Sequence, residues 1–231
     1  MYLIPIKEEL RTLRHDKEKS FENGIEISKK EKVETISVLG FKTGSYSSTS
    51  DIFKEVYGTC STWGFYYNVW AKNGGAEVEW ERFSKDGTPI TFNVYYAKST
   101  ITSDGMTVNL RFSLVTNESK YNKSDTEIYP YIGIGGGFNF VTEDLIFKQT
   151  SNSREQNLKI DLNGFGYNLL AGIDIRINEF IIIGGEYKYR NFALSGFYSG
   201  DITYEEAVAN EQHVDFDGYI LNGHIGIVFH L

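Results

Sequence analysis

The fold class is decided by the last thirteen residues of the chain, Tyr219-Ile220-Leu221-Asn222-Gly223-His224-Ile225-Gly226-Ile227-Val228-Phe229-His230-Leu231. Their odd positions are apolar or glycine, whereas their even positions mix Asn222, His224 and His230 with small and aliphatic residues. Side chains alternate between the two faces of a β-strand. This stretch therefore predicts a long strand whose two faces meet different environments.

The same alternation recurs upstream in seven further segments. They lie near residues 38–42, 65–72, 77–81, 106–114, 131–140, 165–176 and 181–191. An even number of strands is what closure of an antiparallel up-and-down barrel in bacteria usually requires. The sequence therefore predicts an all-β chain, with one eight-stranded antiparallel up-and-down β-barrel over residues 33–231.

The connections between these segments alternate in length. Short turns are predicted at Asn73-Gly74-Gly75 and Asn178-Glu179, and a medium one at residues 116–127. Long connections are predicted at residues 45–62, 84–103, 141–162 and 192–217. This alternation places the long loops at one end of the barrel, as is typical of outer-membrane barrels.

Periodicity alone leaves open which face of the strands points outward. A soluble, lipocalin-like ligand-binding barrel would turn its apolar face inward, and a membrane barrel would turn it outward. Three features favour a transmembrane barrel. The strands approach the nine to eleven residues that a tilted spanning strand needs. Many glycines lie on the less apolar faces, where they suit a crowded lumen, and the charges on those faces nearly balance.

The balanced charges predict a structural network inside the lumen. An enclosed ion needs a partner, because an unpaired buried charge costs several kcal/mol or more. Lys42 and Lys72 lie on the same predicted faces. The residues that we expect to form the network are Glu77, Glu79, Glu81, Arg111, Asp174, Arg176, Glu186, Lys188 and Arg190.

Composition excludes several classes of protein. The net charge of −8 argues against nucleic acid as a partner. Cys60 is the single cysteine, which excludes an internal disulfide framework and a cysteine-rich zinc site. The sequence contains no run of eighteen apolar residues, so it predicts no transmembrane helix. Aromatic residues make up 15% of the chain, and aromatic girdles at a membrane interface are one use for them.

Residues 1–32 are highly charged and predict a solvated N-terminal tail as a separate region. The first twenty residues lack the apolar stretch of a signal peptide. Export therefore requires a signal outside this numbering or a misassigned start; otherwise the chain is not exported.

The C-terminal segment carries a resemblance to a known class of proteins. His224-Ile225-Gly226-Ile227-Val228-Phe229-His230-Leu231 resembles the terminal β-signal of outer-membrane barrels, with Leu231 where bacterial members usually have Phe. Together with the strand and loop pattern, the chain resembles the eight-stranded outer-membrane β-barrel proteins of the OmpA/OmpX-like and OmpW-like kind. The resemblance implies export to the periplasm, insertion by the barrel assembly machinery, contact with outer-membrane lipid and a location in the bacterial outer membrane.

No motif predicts a catalytic, cofactor or metal site. His213 lies in an acidic stretch, and outer-membrane lipid hydrolases combine a Ser, a His and an acid near their rim. No Ser adjoins His213 in a recognisable motif, so a solvated acidic loop is the favoured interpretation. His224 and His230 fall on the predicted lumen face, where a structural role is favoured over metal binding. We therefore expect neither an enzyme nor a bound cofactor.

The predicted function follows from the barrel's size. An eight-stranded barrel is just wide enough to be filled by its own side chains, which argues against a wide pore. The sequence favours a structural or surface-interaction role, with the long extracellular loops meeting an extracellular ligand or protein. Aromatic residues in these loops could mark the contact: Tyr57, Tyr95, Tyr96, Phe197, Tyr198 and Tyr204. The alternatives are a narrow channel or transporter for small or hydrophobic solutes, a lipid enzyme using His213, and the soluble ligand-binding barrel.

Overall fold

The structure is a computed structural model that describes residues 35–71, 73–92, 95–115, 126–149, 155–200 and 216–230. The predicted N-terminal tail at residues 1–32, Lys72, Tyr204 and His213 lie outside these ranges.

The described chain forms a closed antiparallel barrel of eight long strands with one short additional strand. The strands are β1 (Thr35–Ser48), β2 (Cys60–Ala71), β3 (Gly74–Asp86), β4 (Ile90–Phe92), β5 (Tyr95–Ser113), β6 (Glu127–Gln149), β7 (Glu155–Arg176), β8 (Ile181–Gly200) and β9 (Gly218–His230). One short helix, α1 (Asp51–Val56), lies between β1 and β2. Pairing of β1 with β9 and of β3 with β5 closes the ring, while β4 pairs with β5 at the rim. The predicted eight-stranded up-and-down barrel is confirmed.

The outward face of the barrel is an apolar belt. On β7 the exposed outward residues include Phe165, Tyr167, Leu169 and Ile173, and the other long strands contribute equivalent residues. The charged side chains that lie level with the belt, such as Glu77, Arg111 and Glu186, instead point inward and are buried. A band of this kind, about 25 Å tall, is the surface that outer-membrane barrels present to lipid. The alternative of a soluble barrel with an apolar interior is therefore wrong. Among the described helices, none is long and apolar enough to cross a membrane.

The alternation reverses its phase above the belt. On β7 the apolar outward run ends at Phe165, and the next outward residues are Asn163 and Asp161. The inward residues of the same stretch, Leu158 and Ile160, are apolar and buried. A strand that leaves lipid for water must exchange the chemistry of its two faces, because its outer face then meets water. The reversal therefore marks the edge of the membrane.

Most of the predicted long loops are strand. β5 to β8 extend well above the belt, and we call these extensions (residues 95–104, 141–149, 155–163 and 191–200) the raised wall. The predictions of loops at residues 84–103 and 141–162 were wrong over much of their length, and the prediction at residues 192–217 was wrong over residues 192–200. A window that spans the phase reversal shows no constant period, and this hides the strand. We call the end with the raised wall and α1 the mouth, and the opposite end the turn end.

The belt leads to a prediction for two arginine substitutions on the same face of β7. Leu169→Arg places a charge near the middle of the apolar belt and should lower the free energy of unfolding by about 2–4 kcal/mol. Asn163→Arg lies above the belt and should change it by no more than about 1 kcal/mol. Denaturant titration in phospholipid vesicles, followed by heat-dependent gel mobility, measures both. Equal effects of the two substitutions would show that the belt does not lie in lipid.

Candidate functional site

The centre of the lumen is an ion cluster built around Lys42. Its Nζ lies 3.0 Å from Glu77 Oε1, 3.0 Å from Glu79 Oε2 and 3.2 Å from Glu186 Oε1. These residues come from β1, β3 and β8, and their side chains are at most 1% exposed. Lys188 of β8 joins the cluster, with its Nζ 2.7 Å from Glu79 Oε2. The cluster therefore ties together strands that are not neighbours in the sheet.

Arg111 of β5 connects this cluster to the other wall of the barrel. Its Nη2 lies 2.6 Å from Glu186 Oε2 and also pairs with Glu77. Its guanidinium lies over the Tyr131 ring, 4.5 Å from the centroid, and the Tyr131 hydroxyl donates to Glu186 at 3.0 Å. Arg111 Nη1 also lies 3.9 Å from Asp174 Oδ2. The planar guanidinium thus contacts three carboxylates and one ring, a geometry that a lysine could not reproduce.

The structure places all nine predicted network residues inside the barrel, but it does not bring all of them together. Glu81 and Arg190 form a separate pair nearer the mouth, with Oε1 and Nη1 2.9 Å apart. Arg176 lies at the turn end, where its Nε donates to the Asn178 carbonyl at 3.2 Å. The other six share the central cluster: Glu77, Glu79, Arg111, Asp174, Glu186 and Lys188.

Sequence reasoning did not include in the network the residues that complete the cluster, although it predicted a structural role for His224 on the lumen face. Lys42 was noted for its charge but was not expected to be the hub. The Asn109 amide donates to Glu77 Oε1 at 3.1 Å, and His224 Nε2 lies 2.7 Å from Asp174 Oδ1. Each of these residues falls on the inward side of its strand. The period-two pattern therefore indicated that these residues point inward, but periodicity does not show which residues meet across a lumen.

The large polar side chains fit because glycines face them. A Cβ at Gly172 would lie 2.5 Å from the Tyr131 hydroxyl, and a Cβ at Gly184 would lie closer still to His224 Nε2. Both approaches are far closer than van der Waals contact allows. These glycines are therefore required for the close approach of Tyr131 and His224 to the barrel wall.

The buried charges of the described lumen balance. Five acids (Glu77, Glu79, Glu81, Asp174, Glu186) face five bases (Lys42, Arg111, Arg176, Lys188, Arg190). Carboxylate oxygens of Glu77, Glu79 and Glu186 lie within 4.8 Å of one another, close enough to share a cation. Three protein cations, from Lys42, Lys188 and Arg111, already pair with them. The arrangement uses the carboxylates as ion-pair partners of the protein's own side chains.

An apolar cluster, which we call the mouth plug, closes the lumen above the ions. Its buried members are Tyr46, Phe53, Tyr57, Cys60, Phe83, Ile101, Val141, Phe216 and Ile220. Helix α1 delivers Phe53 to the plug, and the helix begins where the Ser50 side chain accepts a hydrogen bond from the Phe53 amide at 3.4 Å. The Phe53 ring meets the rings of Tyr46 and Phe216 edge-on at 5.7 Å. Tyr57, expected in an exposed loop, is buried, because α1 turns it inward.

A second apolar cluster lies at the turn end. Its buried members are Ile36, Val38, Tyr66, Ile182 and Val228, with Trp70 packed against them. The ion cluster therefore lies between two apolar layers, and its charged groups are withheld from water on both sides. In the described part of the chain, this arrangement is suited to holding the barrel shut. Solute passage would require the ion pairs to be broken.

The hub position of Lys42 leads to a prediction. Lys42→Met leaves the buried carboxylates short of a cation and should lower the free energy of unfolding by about 3–5 kcal/mol. Adding Glu77→Gln should recover part of the loss by removing one negative charge. Lys54→Met is the matched control, because Lys54 pairs with Asp51 on the exposed surface of α1 and should cause no measurable change. Similar losses for both lysines, measured by denaturant titration in vesicles, would contradict the role of Lys42.

The sequence matches no protein-family model and no curated protein. Solved structures share its fold. OprG, an outer membrane protein from Pseudomonas aeruginosa, aligns at 17% identity and a TM-score of 0.52, covering 86% of this chain and 97% of OprG. A major outer membrane protein from Thermus thermophilus aligns at 9% identity and a TM-score of 0.46, covering 84% of this chain and 99% of that chain. Ail from Yersinia pestis aligns at 10% identity and a TM-score of 0.40, covering 85% of this chain and 99% of Ail. The structural neighbours are outer-membrane β-barrel proteins, and the resemblance to eight-stranded barrels of this class is confirmed at the level of the fold.

Proposed function

We propose that this chain is a non-porous, non-enzymatic protein of the bacterial outer membrane that acts through its extracellular surface. The observation that carries the proposal is the filled lumen, in which a balanced ion cluster lies between two apolar layers. A barrel without a described passage leaves its outer end as the place where it can meet another molecule. The mouth would then face the outside of the cell, because outer-membrane barrels have their longer connections there.

The raised wall is the surface that we propose meets a partner. Its outward side carries exposed charges of both signs, among them Lys98, Asp144 and Lys159. Strands hold these side chains at fixed spacings, so a partner would bind with little loss of loop entropy. A protein or glycan with mixed polar groups fits this surface better than an apolar ligand does.

The other functions have less support. A narrow channel or transporter would require the cluster around Lys42 to open, and the apolar layers above and below it oppose hydration of the path. A lipid enzyme would depend on His213, which lies outside the described residues. The apolar belt supports contact with outer-membrane lipid as part of this proposal, and insertion by the barrel assembly machinery remains an expectation from the C-terminal resemblance.

The absence of a pore is tested by recording currents across planar lipid bilayers. The folded protein, identified in the same preparation by a heat-dependent shift in gel mobility, should give no single-channel steps. Within the residues that the structure describes, the ion cluster and the mouth plug leave ions no hydrated route, and this is the physical reason for the expectation. Reproducible conductance from protein that shows the gel shift would favour the channel function instead.

The orientation of the mouth is tested by labelling intact cells with an amine reagent that does not cross membranes. Lys98, Lys148 and Lys159 are exposed on the raised wall and should react without permeabilisation. Lys42 and Lys188 are the internal controls, because their buried ammonium groups should stay unlabelled until the protein is unfolded. Labelling of the wall lysines only after the outer membrane is permeabilised would overturn the proposed orientation.

A further inference from the structure

Helix α1 lies over the mouth of the barrel as a short cover. Phe53 and Tyr57 reach from it into the mouth plug, and Cys60, the first residue of β2, is fully buried. The cover contacts the connection between β3 and β4 through Thr88, whose amide donates to the Val56 carbonyl at 2.7 Å. Apart from such backbone contacts, the inner side of the cover is mostly apolar.

Side-chain hydrogen bonds of Tyr57 tie this cover to the raised wall, where Ser99 on β5 is one partner. The Tyr57 hydroxyl donates to Oε1 of Glu143 on β6. Glu143 lies above the belt, which ends on β6 at Phe140, and its strand neighbours are Ile101 and Ile160. The Glu143 side chain is half-buried, and no described cation pairs with its carboxyl. The Cys60 thiol lies near its partner Tyr57, and the charge of Lys85 acts on that thiol.

We propose that α1 is a pH-sensitive lid: it is held closed by the Tyr57–Glu143 hydrogen bond while Glu143 is protonated, and it opens more readily once Glu143 ionises. The closed lid keeps Glu143 among apolar neighbours with one hydrogen-bond donor. The open lid exposes the carboxyl to water, which solvates the anion. Opening also uncovers an apolar, aromatic surface at the mouth.

The direction of the pH dependence follows from proton linkage. Burial raises the pKa of Glu143, and the Tyr57 hydrogen bond offsets only part of this effect. A carboxyl with a raised pKa in the closed state binds its proton more tightly when the lid is closed. The closed state is therefore most stable in acid, below the ordinary glutamate pKa of about 4.3. Its advantage is lost as the pH rises through the pKa of the closed state.

Cys60 is a built-in reporter of opening, because it is the chain's single cysteine and lies under the lid. Burial raises the pKa of its thiol to about 11, so the closed form reacts slowly. The experiment measures the rate at which dithiodipyridine modifies the full-length protein in vesicles, across mildly acid to neutral pH. Glu143→Gln is the matched variant, because its amide still accepts the Tyr57 hydrogen bond but cannot ionise. The ratio of the two rates cancels the pH dependence of the thiol itself.

The wild-type rate should equal that of Glu143→Gln in acid and then exceed it, by up to about tenfold per pH unit until Glu143 is fully ionised in the closed state. A ratio that stays constant across this range would overturn the proposal. Tyr57→Phe removes the donor and should speed modification several-fold even in acid. Its failure to do so would show that the hydrogen bond does not hold the lid. The heat-dependent gel shift confirms that each variant is folded before its rate is measured.

Discussion

The structure depends on one constraint: the outside of the barrel meets lipid, so its polar side chains must satisfy each other inside. Lys42 shows how this is done, since a single ammonium group lies within 3.2 Å of carboxylates from β3 and β8. Such contacts are favourable only with close geometry and full pairing, because each buried ion has lost its hydration. The pairing therefore stabilises the barrel by joining strands that face each other across the lumen. It also fills the space through which a solute would pass.

The sequence could predict those features that depend only on the difference between the outward and the inward face of a strand. The apolar face of β7, from Phe165 to Ile175, follows from period two, and the charges of Glu186 and Lys188 follow from the opposite phase. Which charges meet could not be predicted. Glu186 is separated from Lys42 by 144 residues, and their contact depends on barrel closure and strand tilt. Arg176 points into the lumen, as Asp174 does, but it lies two residues nearer the turn end of β7. This displacement is enough to place it outside the cluster.

The raised wall shows why the strand ends were missed. In β7 the apolar positions are even at Leu158 and Ile160 and odd from Phe165 onward. Each part alone alternates between apolar and polar residues. In a window that contains both parts, the two opposite alternations cancel and the period-two signal is lost. The point of cancellation has a physical meaning, since it is where the outward face changes from water to lipid. In a barrel strand, a reversal of phase is therefore evidence for a membrane boundary within one continuous strand, and not for a loop.

The lid can move while the barrel stays closed, because both ends of α1 are capped by hydrogen bonds from neighbouring residues in the sequence. Ser50 caps its first turn, and Gly58 follows its last turn at a φ of 61°, a conformation that favours glycine, with its amide bound to the Lys54 carbonyl. Just before the helix, the Thr49 amide donates to the Asp217 carbonyl at 2.7 Å, and the Asp217 carboxylate accepts from the Phe192 amide at 2.9 Å. This fixed point joins the base of the lid to β8 and β9. The segment between Thr49 and Gly58 can thus change position without breaking a barrel strand or disturbing the ion cluster below it.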